Sequence, residues 1–447
     1  MSIFSDKNIR RILLDSWSVS WPMTIIMLFE FFIGLSDVYV AGRFGKTAQA
    51  AYGLAFQLYF VFIIIGMALS VGSVSVISRL FTARQKDDFG IAVNSSFAVS
   101  AASGALFTIL GIIFAKNTIM ALGISQEVAI TAVPLLVIYS FGLIFDYVLM
   151  NTNSILRACD MIKRSLFAMT VVCLMNIVLN FVLGLHTPLG LRGIAVATVI
   201  SLFTGSVINI FYTKKLMPRN LNISKKMIMR ILAISWPSGL LQVMWQLGGI
   251  VLFMIIGMLP QRSVEIMAAF TNGMKIESAI FLPAFAFNMA NAVVVGNLLG
   301  KKEKTDAFNG GILTAVSGVG IVIFLTVIII LNARFIAVLL SDNPAVAEES
   351  VRYIYIAMIA EPLMAWSVIL SGALNGAGDT RTVMAIISFS MWCVRIPLAY
   401  LLAIHLKLGA AAIWWAMNIS IFVHSALISR HYFKRRWIDS SEISVPS

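Results

Sequence analysis

Four acidic side chains lie inside long apolar stretches of this sequence. Glu30 and Asp37 belong to the first stretch, Asp146 to the fourth and Glu361 to the tenth. Placing a carboxylate at the centre of a membrane-spanning helix costs about 2.5–3.5 kcal/mol of insertion free energy. Each acid is therefore expected either to interact with a stabilising partner or to have a functional role. Because burial disfavours the charged form of a carboxyl group, such a group is suited to proton exchange. The four acids are therefore the first candidates for binding a proton or a cation.

Asp37 is the main candidate among them. It follows Pro22 by fifteen residues, and Glu30 precedes it by seven, about two helical turns, so both acids lie on a similar face. Pro22 removes one backbone hydrogen bond and can bend the helix that carries Asp37. The alternative is that the acids pair with a buried cation and serve packing alone.

Amide and hydroxyl side chains of two later stretches complete the candidate site. Asn176 and Asn180 lie one helical turn apart in the fifth stretch, and Thr198 lies in the sixth. With Asp37 they supply oxygen ligands for a small cation such as Na⁺, or a hydrogen-bonding shell for a protonated carboxyl group. The alternative is interhelical hydrogen bonding, worth about 0.6–2 kcal/mol. We predict no further metal site and no catalytic residue.

The composition identifies the elements that must position these side chains. Of 447 residues, 60% are hydrophobic and 12% are charged, whereas about a quarter of the residues of a soluble domain are charged. One membrane-spanning helix needs about 20 predominantly apolar residues. Such windows begin near residues 14, 50, 90, 128, 164, 190, 229, 265, 310, 350, 381 and 409. The sequence therefore predicts an all-α integral membrane protein of twelve helices.

The net charge of +13 indicates membrane orientation, and we predict no nucleic-acid partner. If the N-terminus is cytoplasmic, 23 of the 33 basic residues lie on the cytoplasmic side. This bias is typical of cytoplasmic loops. We therefore expect a multi-pass protein of the cell (inner) membrane with both termini in the cytoplasm.

The second half of the chain repeats the first. Ser20-Trp21-Pro22 recurs as Ser235-Trp236-Pro237 at an offset of 215, Leu156 matches Leu374 at 218, and later matches fall at 219. Each half contains an even number of spans, so both halves enter the membrane from the same side.

The repeat predicts two parallel six-helix bundles around a central cavity. We assign residues 1–213 to an N-lobe with helices 1–6, residues 214–230 to a cytoplasmic linker, and residues 231–447 to a C-lobe with helices 7–12. Rocking one bundle against the other would give alternating access.

The acids are not repeated. The positions that match Glu30 and Asp37 hold Trp245 and Leu252, which predicts an ion site in the N-lobe only. Lys275 with Glu277, and Arg395, are interpreted as internal ion pairs. The candidates for a substrate site or a secondary ion site are Glu30, Asp146, Glu361, Gln242, Gln246 and Lys275.

Short motifs in a fixed order carry a family resemblance. They are Pro22 with Asp37, Asn176-Ile-Val-Leu-Asn180, Arg192-Gly-Ile-Ala-Val-Ala-Thr198, Leu374-Asn-Gly-Ala-Gly-Asp379-Thr-Arg381, Val394-Arg-Ile-Pro397 and Ile413-Trp-Trp-Ala-Met417. Over roughly residues 10–436 the chain resembles the multidrug and toxin extrusion (MATE) transporters of the prokaryotic type.

The resemblance implies export of amphipathic, often cationic, organic compounds in exchange for H⁺ or Na⁺. It also implies that Asp37, Asn176, Asn180 and Thr198 form the cation site, and that ion binding there bends the first helix near Pro22. Some family members carry acids on the seventh and tenth helices, where this chain has Gln242, Trp245 and Gln246, and Met364. These departures argue against a coupling site in the C-lobe.

Other classes of function are less well supported. A lipid or lipid-linked-precursor flippase of the same broad superfamily would need several embedded cations, and only Lys275 and Arg395 are embedded. An enzyme would need a cluster of His, Cys or metal ligands on neighbouring helices. We expect a monomeric transporter whose partners are amphipathic small molecules and membrane lipids, without a cofactor other than the coupling ion.

Overall fold

The computed structural model describes residues 6–122, 125–217, 222–341 and 343–439. Across these ranges the chain forms helices joined by short turns and contains no strand. The first half holds α1 (Asp6–Gly42), α2 (Lys46–Thr82), α3 (Lys86–Ala121), α4 (Gln126–Ala158), α5 (Ile162–Leu179), the π-helix π1 (Asn180–Leu185) and α6 (Arg192–Thr213). Helices satisfy all their backbone hydrogen bonds internally, as an apolar bilayer demands.

The second half follows the same plan with more interruptions. It holds α7 (Lys225–Gly257), α8 (Ser263–Gly300), α9 (Lys304–Leu331), α10 (Ala333–Leu340), α11 (Pro344–Ala357), α12 (Glu361–Gly376), α13 (Thr380–Phe389), π2 (Ser390–Arg395), α14 (Ile396–Tyr400), π3 (Leu401–His405), α15 (Ala410–Phe433) and α16 (Arg436–Asp439). Of the predicted linker, residues 218–221 lie outside the described residues, and the last six residues belong to α7.

The predicted membrane fold is confirmed. The described residues contain eleven helices long and apolar enough to cross a membrane, or twelve if α11 and α12 count as one span. That pair is bent by 56° at the break between Ala357 and Glu361. Pro362 follows at the start of α12, where its missing N–H leaves no hydrogen bond unmade.

The chain packs into two compact units. One unit comprises Met1–Thr24 and Leu240–Ser447, and the other comprises Ile25–Gly239. We call them the C-unit and the N-unit. Helices α1 and α7 therefore each begin in one unit and end in the other, with the change close to Pro22 and Pro237. The lobes predicted from the repeat divide the chain elsewhere and stay a prediction.

Contacts of the helix starts explain these memberships. At the start of α1, Arg11 forms an ion pair of 3.2 Å with Asp306, and the Ser16 hydroxyl accepts a hydrogen bond of 2.8 Å from Thr314. At the start of α7, Ser235 lies so close to α2 that a Cβ atom added at Gly72 would be 2.2 Å from its Oγ.

Small residues allow two helices of the C-unit to approach each other closely. A Cβ added at Gly372 would lie 2.1 Å from the backbone oxygen of Asn288, and one added at Gly376 would lie 2.2 Å from that of Ala292. The two glycines are one turn apart on α12, so α12 packs directly against the backbone of α8. Close contact at small residues is typical of membrane helices.

Candidate functional site

The four residues of the predicted coupling site form one hydrogen-bonded network in the N-unit. Asp37 is 2% exposed. The Asn180 side chain donates to Asp37 Oδ1 and, over 3.0 Å, to Asn176 Oδ1. Asn176 in turn donates to Thr198 Oγ1 over 3.2 Å. The structure therefore brings together side chains from α1, α5, π1 and α6.

Local helix geometry presents these amides to Asp37. Asn176 lies on the last turn of α5, and Asn180 is the first residue of π1. Residues four apart lie on one face of a helix, and the wider π turn begins at the residue that contacts Asp37. Single-turn π segments inside helices are frequent at functional sites.

Sequence reasoning missed three polar side chains around Asp37, of which two belong to the hydrogen-bonded network. Tyr52 of α2 donates to Asp37 Oδ2 over 3.3 Å, and Ser36 accepts from Asn180 over 2.9 Å. Tyr139 of α4 is 1% exposed and interacts electrostatically with Asp37, and its hydroxyl group has no hydrogen-bond partner among the described residues. The sequence contains ten tyrosines, and no spacing pattern distinguishes the ones that lie near Asp37 from the others.

The Asp37 carboxyl group has no counter-charge among the described residues. Among the described residues no Lys, Arg or His forms an ion pair with it. The Oδ1 atom of Asn180 is buried and accepts no hydrogen bond from any described residue. A buried carboxylate with only neutral donors favours uptake of a proton or a cation, and the Asn180 oxygen is placed to take part.

A second buried acid of the N-unit has a partner of the same kind. Asp146 is 6% exposed, and its Oδ2 accepts a hydrogen bond of 2.8 Å from Tyr59. The rings of Tyr59 and Tyr139 stack with centroids 5.2 Å apart. Helix α2 thus presents Tyr52 to Asp37 and, two turns later, Tyr59 to Asp146.

Glu30 is exposed on α1 and interacts electrostatically with Asp146 and Arg157. Arg157 is 5% exposed and donates to the hydroxyl groups of Ser70 and Ser154 over 3.0 and 2.9 Å. Glu30 and Asp146 therefore belong to the same unit as Asp37, and among the described residues neither shares a hydrogen bond with the Asp37 network.

The remaining candidates lie in the C-unit. Gln242 is half-buried, Gln246 and Lys275 are exposed, and none of the three makes a hydrogen bond or an ion pair with a described residue. Glu361 is 1% exposed and begins α12. Among the described residues, none of these four forms a hydrogen bond with a member of the Asp37 network.

The interpretation of Lys275, Glu277 and Arg395 as internal ion pairs was wrong for the described residues. Glu277 instead accepts a hydrogen bond of 2.5 Å from Tyr353, and Arg395 donates through Nε to Ser420 over 2.8 Å. Residues two apart on a helix point to different sides, which explains why Lys275 is exposed while Glu277 turns inward.

Pro22 is buried inside α1, which continues through it as one helix. The chain passes from the C-unit to the N-unit two residues later. A bend of α1 at Pro22 on ion binding stays a prediction.

The fold and the site define a class: a helical multi-pass membrane transporter with a buried carboxyl network in one of its two units. The sequence profile of the MatE family matches residues 22–182 and again residues 237–401. The chain therefore belongs to the MatE family of transporters, as its motifs predicted. The two matches begin 215 residues apart and end 219 apart, which are the offsets of the predicted repeat.

Known proteins are similar over nearly the whole chain. The chain is 24% identical to "Uncharacterized transporter YisQ" of Bacillus subtilis (strain 168), with 94% of each covered. It is 24% identical to "Probable multidrug resistance protein NorM" of Thermotoga maritima, covering 91% of this chain and 89% of that protein. A solved structure, "Outward-facing conformation of a multidrug resistance MATE family transporter of the MOP superfamily", has a TM-score of 0.90 at 20% identity, with 96% and 97% covered. That likeness supports the fold.

Proposed function

We propose that this protein is a secondary active antiporter that exports amphipathic, often cationic, organic compounds in exchange for H⁺ or Na⁺. Membership of the MatE family and relatives named as multidrug resistance proteins support this proposal. The observation that carries it is Asp37, 2% exposed and held only by neutral donors among the described residues.

The coupling step follows from the hydrogen bonds around Asp37. As a carboxylate, Asp37 accepts from Asn180 at Oδ1 and from Tyr52 at Oδ2. A proton bound to Oδ1 finds no acceptor on the Asn180 amide nitrogen, so that bond is given up, whereas a proton bound to Oδ2 reverses the bond and makes the Tyr52 hydroxyl the acceptor. Na⁺ would likewise compete for the carboxylate oxygens. Either ion therefore rearranges the contact between α1 and its neighbours.

This rearrangement is the proposed link to transport. Helix α1 carries Asp37 in the N-unit and begins in the C-unit, with Pro22 between them. A bend at Pro22 would let the Asp37 end of α1 move while its start stays packed, and rocker-switch movement of two lobes around a central cavity would then expose the substrate on alternate sides.

We further propose that both termini are cytoplasmic in the cell membrane, and that the protein acts as a monomer. Inward movement of the coupling ion would drive outward movement of the substrate. Apart from H⁺ or Na⁺ no cofactor is needed, and the partners are the amphipathic substrates and lipids. Lipid flipping is not favoured, because the relatives are named for drug resistance. In addition, among the described Lys and Arg residues only Arg79, Arg157 and Arg395 are less than a tenth exposed.

The test is efflux of a fluorescent organic cation from proteoliposomes under an imposed pH gradient or an imposed Na⁺ gradient. We expect one of the gradients to drive efflux in the wild type and in Asp15→Asn, an exposed acid on the same helix. Asp37→Asn should lose gradient-driven efflux. Full gradient-driven efflux by Asp37→Asn would refute the coupling role, and movement of lipid without dye would favour a flippase.

A further inference from the structure

An open cavity of the N-unit lies between the first turns of α4 and the loop that leads from π1 into α6. Its volume is about 270 Å³. The residues that line it are Ile130, Thr131, Pro134, Leu189, Leu191 and Arg192. None of these residues belongs to the Asp37 network. Four of the six side chains are apolar, so the cavity combines an apolar wall with one guanidinium group.

The lengths of the two helices place the cavity at the depth of the lipid headgroups. Helix α6 has 22 residues and is about 33 Å long, close to the hydrocarbon thickness of about 30 Å, so its first residue, Arg192, lies near the edge of the hydrocarbon. Helix α4 has 33 residues and is about 50 Å long, so about 10 Å at each end projects beyond the hydrocarbon. Ile130 and Pro134 lie about 6 and 12 Å along α4, on either side of the same edge.

The Arg192 guanidinium is available to a ligand. Arg192 is exposed, and among the described residues its side chain forms no hydrogen bond, ion pair or contact with an aromatic ring. Glu127, an exposed acid one turn before Thr131 on α4, forms no ion pair with it. A guanidinium offers paired N–H donors that match the oxygens of a phosphate group. A phosphate of the bilayer surface is therefore a suitable partner.

The loop that carries Leu189 and leads to Arg192 is held by its own hydrogen bonds. The Leu189 N–H donates to the Thr187 hydroxyl over 3.3 Å, and the Arg192 N–H donates to the Leu189 carbonyl over 3.1 Å. Gly190 has a φ of +54°, in the left-handed region that favours glycine. Because these bonds lie within the loop, the apolar wall is formed before a ligand binds.

The repeat indicates that this cavity is specific to the first half. At an offset of 219, Ala411 takes the place of Arg192, and Trp414 takes the place of Ala195 one turn later. Trp414 is 1% exposed and donates through Nε1 to Glu349 over 3.0 Å. At these positions the second half therefore has neither the guanidinium nor the small side chain.

We propose that this cavity binds one phospholipid of the surrounding bilayer, with the lipid phosphate against the Arg192 guanidinium and the first carbons of its chains against the apolar wall. Basic pockets between membrane helices bind lipid headgroups. A volume of about 270 Å³ is just below the range of about 300–1,000 Å³ for small-molecule sites, so the cavity holds a headgroup and not a whole lipid. With both termini in the cytoplasm, the lipid belongs to the outer leaflet. The site requires an N-unit embedded in a membrane and does not rest on the proposed antiport.

The test is native mass spectrometry of the purified protein in detergent, titrated with three probes. Dioleoyl phosphatidylglycerol carries a phosphate and chains, dioleoylglycerol carries the chains alone, and glycerophosphate carries the phosphate alone. We expect one tightly bound phosphatidylglycerol per protein. Arg192→Gln should weaken that binding step about tenfold, as expected from the loss of one hydrogen bond to a charged group. Arg334→Gln, which removes an exposed arginine of α10 in the C-unit, should leave it unchanged.

A second variant tests whether the cavity itself holds the lipid. Thr131→Phe places an aromatic ring in the cavity and keeps Arg192. It should lose the tightly bound lipid while keeping the wild-type midpoint of thermal unfolding in detergent. If Thr131→Phe fails to fold, Leu189→Phe fills the cavity from its other wall and should have the same effect.

Four results would overturn the proposal. Wild-type affinity in Arg192→Gln would mean that the phosphate does not bind Arg192, and equal binding of dioleoylglycerol would mean that the chains alone are recognised. Displacement of the lipid by glycerophosphate at equal concentration would assign the cavity to a free phosphate compound. Loss of the lipid in Arg192→Gln but not in the folded cavity-filling variants would place the phosphate outside the cavity. No substrate or ion gradient is present, so failure here leaves the proposed antiport untouched.

Discussion

Replacing Tyr52 by phenylalanine removes one hydrogen bond to the Asp37 carboxyl group, the proposed coupling group, and changes little else. Tyr52 is 4% exposed, its hydroxyl donates to Asp37 Oδ2 over 3.3 Å, and its ring stacks on Phe56 with centroids 5.9 Å apart. Phenylalanine keeps the ring and its stacking. The substitution therefore isolates the contribution of one O–H donor.

The magnitude follows from the bond that is lost. A hydrogen bond to a charged group contributes about 1.5–3 kcal/mol, and the 3.3 Å distance places this one at about 1.5 kcal/mol, the lower end. The donor stabilises the ionised form of Asp37 and not the protonated form. Its loss should strengthen proton binding about tenfold, since about 1.4 kcal/mol corresponds to one pH unit.

The assay is the pH dependence of substrate efflux from proteoliposomes. Because the proton is held more tightly, Tyr52→Phe should move the midpoint of the pH profile upward by about one unit. Tyr59→Phe is the matched control, since Tyr59 lies on the same helix and donates to Asp146 over 2.8 Å instead. An unchanged midpoint in Tyr52→Phe, or an equal shift in Tyr59→Phe, would refute the reasoning.

Two further predictions concern the scaffold. Gly372→Ala places a Cβ atom 2.1 Å from the backbone oxygen of Asn288 and should destabilise the folded protein by about 1–3 kcal/mol, measured as a lower midpoint of thermal unfolding in detergent. Gly320→Ala, where a Cβ meets nothing within 4 Å, should not lower it, and equal midpoints would contradict the packing argument. Pro22→Ala restores a backbone donor inside α1, and should slow efflux at least severalfold while leaving thermal stability unchanged or higher. Wild-type efflux in that variant would remove Pro22 from the mechanism.

The sequence was sufficient to predict the helices and to single out four residues that form one hydrogen-bonded network, whose coupling role stays a prediction. Asp37 stands out because a carboxylate is costly in an apolar stretch, and Asn176 and Asn180 because residues four apart share a helix face. Their assembly also required the order of the helices, which the family resemblance supplied. The side chains themselves then form one network.

The other residues around the site could not be predicted, because their positions depend on packing between helices that are far apart in the sequence. Tyr52 and Tyr139 resemble the other aromatic residues of the sequence until α2 and α4 place them beside Asp37 and Thr198. Arg395 was assigned to an ion pair from its charge alone, whereas π2 directs it to Ser420. Charge type gives no indication of the direction in which a helix presents a side chain.

The repeat also did not predict where the two compact units begin and end. The duplication places a division between the halves near residues 214–230, but the packing changes units inside α1 and α7. Periodicity along a helix shows which face is apolar and leaves open which neighbour covers it. Asp306, which forms an ion pair with Arg11, is a neighbour of α1 that only the folded structure reveals.

The central claim is that ion binding at Asp37 is coupled to substrate transport, and the dependence of substrate affinity on ion concentration, measured on the purified protein, tests it directly. By linkage, an ion that lowers substrate affinity must itself be displaced by the substrate. We expect the wild-type Kd for a fluorescent organic cation to rise with proton or Na⁺ concentration, and Asp37→Asn to lose most of that dependence while Asp15→Asn keeps it. An Asp37→Asn variant whose Kd follows the ion concentration as the wild type does would contradict the account.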